Sequence, residues 1–93
     1  MFDIVLWAHQ IVPGSDELLH FAESYEECVR DARDQRADLL GPDGGHETLS
    51  AMAIYRFTFR PLTASELSKV LNGDVSALDV AVVDRRLVGL VAE

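Results

Sequence analysis

The chain of 93 residues is 48% apolar and 26% charged, which is one domain's worth of sequence (1–93) with enough apolar material to bury a core unaided. Eight Lys and Arg stand against 16 Asp and Glu, a net charge of −8 that argues against direct binding to nucleic acid or to an anionic membrane. The lone Cys28 has no internal disulfide partner, no apolar run reaches the length of a membrane span, and Met1-Phe2-Asp3 lacks the basic start of a leader; these features predict a reducing, cytoplasmic setting.

The charge is unevenly distributed along the chain. Residues 1–50 hold 11 acids against Arg30, Arg33 and Arg36, whereas residues 51–93 hold five acids and five bases. All of the excess acidity therefore belongs to the first half.

Ile4-Val5-Leu6-Trp7-Ala8 is apolar without alternation and predicts a strand buried on both faces. Val12-Pro13-Gly14-Ser15 suits a type II turn, with proline presetting φ at the second position and glycine accepting a positive φ at the third. Leu18 to Glu23 is then the returning strand. Ser24-Tyr25-Glu26-Glu27 has the spacing of a capping box and opens a helix over 25–40. On its wheel Tyr25, Cys28, Val29, Ala32 and Leu39 share one apolar face, and Gly41-Pro42 supplies the stop.

Residues 41–50 read as a glycine-rich, mobile loop around His46. From Ala51 to Leu62 the residues alternate, with Tyr55, Phe57 and Phe59 on one side and Arg56, Thr58 and Arg60 on the other, which is the pattern of a strand. Thr63-Ala64-Ser65-Glu66 is a second capping box, with Leu62 and Leu67 spaced as a hydrophobic staple, and Asn72-Gly73 ends that helix. Leu78–Val83 and Leu87–Ala92 are β-branched runs on either side of Asp84-Arg85-Arg86 and predict a closing hairpin, although the turn lacks Asn-Gly or Asp-Gly. The expected class is α+β: a small mixed, mainly antiparallel sheet with two helices on one face, in the order β-β-α-β-α-β-β.

No catalytic set is legible, and neither a metal nor a cofactor is expected. His9, His20 and His46 fall on separate elements, and Glu17-x-x-His20 occurs once, in a strand, where that spacing does not bring the two side chains together. Cys28, at a core position, reads as a small apolar residue rather than a nucleophile. The aromatic and arginine alternation of β-like residues 54–60 has the texture of an RNA-binding sheet, but rings and cations fall on opposite faces of an acidic chain.

The anomaly is a stripe of Glu27, Asp31, Asp34 and Asp38 along the first helix, spaced four, three and four apart. Each like-charge neighbour costs a few tenths of a kcal/mol, and Asp38 opposes the helix dipole, so the stripe works against its own helix. Solubility explains it blandly; a docking face for a basic protein surface explains it more sharply. The leading expectation is a non-enzymatic interaction or regulatory module whose partner is another protein, with a second copy of the chain as a further partner left open. The alternative is a small enzyme or ligand-binding domain with a site at Trp7, His9 and the loop around His46.

Overall fold

The computed structural model describes residues 3–41 and 49–92. Strands β1 (Ile4–Gln10) and β2 (Leu19–Ala22) lead into helix α1 (Tyr25–Leu40). Strand β3 (Met52–Phe59), helix α2 (Ala64–Leu71), the single-turn helix α3 (Ala77–Ala81) and strand β4 (Val82–Val91) follow. The strands form one antiparallel sheet in the order β2-β1-β3-β4. The α+β class read from the sequence holds.

The first turn forms as expected: Ser15 N donates to the Val12 carbonyl at 3.0 Å and Gly14 has φ 83°. The pairing beyond it is less direct. A two-residue hairpin about Pro13-Gly14 would set His9 opposite Leu18, but His9 pairs with His20. The chain bends again between Gly14 and Leu19, and this brings Asp16 onto Gln10, Tyr55 and Arg85.

Helix α1 is capped by Ser24, whose hydroxyl accepts from Glu27 N at 3.1 Å; the reciprocal Glu27 bond is not among those described. At its other end Gly41, at φ 78°, returns its N–H to the Ala37 carbonyl. Cys28, Ala32 and Arg36 form the buried row, at steps of four. Leu39, expected on that row, is 47% exposed because a row advancing by four passes it on its flank.

This row meets Ala22, Met52, Ile54 and Val91 in the core, with Trp7 and Val29 packed against them. Arg36, not anticipated, donates Nη1 to the Ser50 carbonyl at 2.7 Å and Nη2 to the Ala92 carbonyl at 3.0 Å. The Tyr25 ring lies over Gly89, with its hydroxyl 2.7 Å from where a β-carbon would sit.

The tail departs from the expected hairpin. Ser76 caps Leu78 N and turns Ala77–Ala81 into α3, and Val82–Val91 then runs as one strand straight through Asp84-Arg85-Arg86. No residue of that triplet supplies a positive φ, so the chain does not reverse there. Register shifts at Ile54/Tyr55 and Thr58/Phe59 absorb the irregularity instead.

Helix α2 carries the complete capping box, Thr63 Oγ1 accepting from Glu66 N and Glu66 Oε1 accepting from Thr63 N. The helix makes no extensive contact with any strand. It stands at the end of the sheet, and Leu67 and Leu71 are 46% and 75% exposed. The molecule is correspondingly drawn out, 49 × 24 × 16 Å, with a radius of gyration of 15.2 Å where a compact chain of this length has about 12 Å.

Candidate functional site

The two sides of the sheet differ in chemistry. On the α1 side, His9 and His20 are direct cross-strand partners on β1 and β2, with ring centres 5.4 Å apart and inclined at 43°. His9 is 2% exposed, and neither ring nitrogen has a hydrogen-bond partner among the described residues. Burial, and secondarily His20, hold its pKa below the usual 6.5 against the opposing pull of Asp31, so it stands as neutral imidazole with a free acceptor lone pair.

Asp31 Oδ2 approaches His20 Nδ1 to 3.9 Å from α1. Together His9, His20, Asp31, Asp34, Gln35 and Asp38 line a shallow hollow of about 210 Å³. Three carboxylates, two imidazole rings and an amide line it, so the hollow is rich in acceptors. Among the described residues no group of three or more His, Cys, Asp or Glu is arranged to hold a metal ion.

The candidate residues from the sequence are thus partly brought together. Asp31, Asp34 and Asp38 share the hollow, whereas Glu27 does not line it. His9, assigned to the rival site, meets the acidic stripe, while Trp7 packs against the core cluster. The loop around His46 lies outside the described residues. His20 was missed as a site residue; only the register of a hairpin longer than its turn places it there.

Cys28 is fully buried, its thiol pushed up to about 11 by burial and then by Asp31 and Glu27. A thiol in that state is protonated at neutral pH and is no nucleophile.

On the opposite side, Phe21, Phe57 and Phe59 form an aromatic cluster, with Tyr55 edge-on to Phe57 and the Arg85 guanidinium 4.2 Å above the Tyr55 ring. Asp16 closes one end of this face. It accepts from Gln10 Nε2 at 2.6 Å, the Tyr55 hydroxyl at 2.8 Å and Arg85 Nη2 at 2.7 Å, and these donors hold its carboxyl below the usual range. Buried Gln10 completes the junction by accepting from Ala53 N and Gly14 N. At the other end an apolar groove of about 610 Å³ opens between Ile4, Leu6, Phe21 and Phe59 of the sheet and Leu67 and Leu78 of α2 and α3.

No protein-family model, no curated protein and no solved structure matches the chain when compared with it.

Proposed function

We propose that this chain is a non-enzymatic interaction module that docks a basic protein partner on its α1 side, with a Lys or Arg side chain of the partner seated in the acidic hollow. The observation that carries this reading is the hollow itself, in which Asp31, Asp34 and Asp38 of α1 meet the paired rings of His9 and His20, with no Lys or Arg among the described residues that line it. Ammonium and guanidinium groups are donors only and positively charged, the complement of this lining. The same demand accounts for a stripe that opposes its own helix, since like charges crowded at Asp31, Asp34 and Asp38 are relieved by a cation.

The test is an NMR titration of the protein with an arginine-rich peptide, with a glutamate-rich peptide as control. The arginine peptide should shift His9, His20 and Asp31 resonances, and binding should weaken as salt rises. Changing Asp31, Asp34 and Asp38 to Asn should lower the affinity roughly tenfold or more. Equal binding by wild type and the triple variant would refute the reading.

A further inference from the structure

We infer that docking in the acidic hollow is released by acid through His20, whose imidazole, once protonated, sits against Asp31 as an internal cation in place of the partner's. The inference rests on the reading of the hollow as a cation site and adds its regulation.

Geometry singles out His20. It lies on β2, an outer strand of the sheet, and its side chain is 57% exposed. Its Nδ1 stands 3.9 Å from Asp31 Oδ2, within the reach of an ion pair but too far for a hydrogen bond. With a neutral imidazole at that distance, Asp31 keeps its full charge for an arriving cation. Protonation makes both ring nitrogens donors and sets a positive charge beside the carboxylate. The hollow then offers one negative charge fewer, and a partner's ammonium or guanidinium meets a like charge at its rim.

The other groups around the hollow cannot take this part. Asp31, Asp34 and Asp38 face it from α1 together with the uncharged Gln35, His20 faces it from β2 and His9 from β1, and no Lys or Arg lines it among the described residues. Strand β3 sets the apolar Ile54 opposite His9. Between pH 5 and 8 carboxylates ordinarily stay ionised, and imidazole is the side chain that changes charge. His9 is an imidazole too, but it is 2% exposed with both nitrogens enclosed, and burial, with the His20 ring centre 5.4 Å away, keeps it neutral. The pair therefore exchanges one proton rather than two, and it does so at the exposed ring.

The experiment is isothermal titration calorimetry of the full chain with an arginine-rich peptide at about pH 7.5 and about pH 5.5, at fixed ionic strength. Wild type should bind roughly fivefold or more weakly at the lower pH, the effect of one unit charge about 4 Å from a carboxylate. Binding near pH 6 should expel at most one proton, read from the heats in two buffers of different ionisation enthalpy. His20→Gln, which cannot take the proton, should bring the affinities at the two pH values together. His20→Lys, which carries the charge throughout, should bind weakly at both. Absence of peptide binding at either pH would remove the docking reading and this inference with it. Wild-type binding that is as tight in acid as at neutral pH, that expels no proton, or that weakens equally in His20→Gln would overturn the inference and leave the docking reading standing.

Discussion

Arg36 on α1 donates through Nη2 to the carbonyl of Ala92, 56 residues further along the chain, at 3.0 Å. Through Nη1 the same guanidinium holds Ser50, just ahead of β3, so one buried side chain ties the helix to the entry of one strand and the exit of another. Arg36→Met keeps the apolar stem but abandons both carbonyls. It should cost about 2–3 kcal/mol in urea unfolding and raise amide exchange at the start of β3 and the end of β4 ahead of the rest. A loss under 0.5 kcal/mol, which is the range of an ordinary surface change, would mean that the clamp is idle.

Gly89 is required by proximity rather than by backbone conformation. Its φ is not positive, yet an added β-carbon would lie 2.7 Å from the Tyr25 hydroxyl and 3.5 Å from ring carbon Cε1. Gly89→Ala should therefore displace the Tyr25 ring and cost about 1 kcal/mol, after the gain of up to ~1 kcal/mol that alanine brings by restricting the unfolded chain. In a Tyr25→Ala background the same change should become neutral or stabilising. A double-mutant cycle measures this, and a coupling near zero would show that the ring and the glycine do not interact.

Glu66 makes the start of α2 sensitive to acid. The side-chain bond from Arg60, followed by the backbone bond from Thr63, lowers its carboxyl from the usual 4.5 to about 2. The folded form thus holds the proton less tightly than the unfolded form does. The contribution is complete above pH 4.5 and fades as the pH falls through about 2. Thr63 and Glu66 amide shifts should follow this loss as α2 frays at its first turn, while Glu66→Gln should abolish the pH dependence. Titration of Glu66 at its ordinary value would contradict the pairing.

Cys28 should be silent to thiol reagents until the protein opens. Its thiol is fully buried and pushed up to about 11, so both access and thiolate are lacking. Labelling by a chromogenic disulfide at neutral pH should proceed at the rate of unfolding and accelerate with denaturant. Rapid labelling of the native protein would place the thiol at the surface.

Local chemistry was the legible part of this fold. Ser24, Thr63 and Gly14 each act within three or four residues of themselves, and so α1, α2 and the first turn could be read directly from the sequence. The alternation of Tyr55, Phe57 and Phe59 likewise identified β3, whose ends fall at Met52 and Phe59 rather than 51 and 62. What failed depended on distant partners. The β-branched Val80, Val82 and Val83 fit a strand, but Ser76 caps a helical turn that takes in Val80 before β4 begins. Arg36 follows Cys28 and Ala32 at intervals of four, which is a signal of burial, but its charge argued for the surface until two carbonyls appeared to receive it. The candidate site was half visible: the sequence displays Asp31, Asp34 and Asp38, and only the register that sets His9 against His20 supplies the rest.

Asp84-Arg85-Arg86, which proved not to be a turn, has a different consequence in the middle of a strand. β4 is ten residues long and forms the outer edge of the sheet, with Leu87 and Leu90 at 60% and 65% exposure. A bare edge of that length and composition is a template onto which further chains add, and the end state of such addition is a fibril. Two arginines and an aspartate interrupt the template at its centre, and a register shift on each side bends it out of true. They act as gatekeepers, disfavouring the addition of further strands along β4.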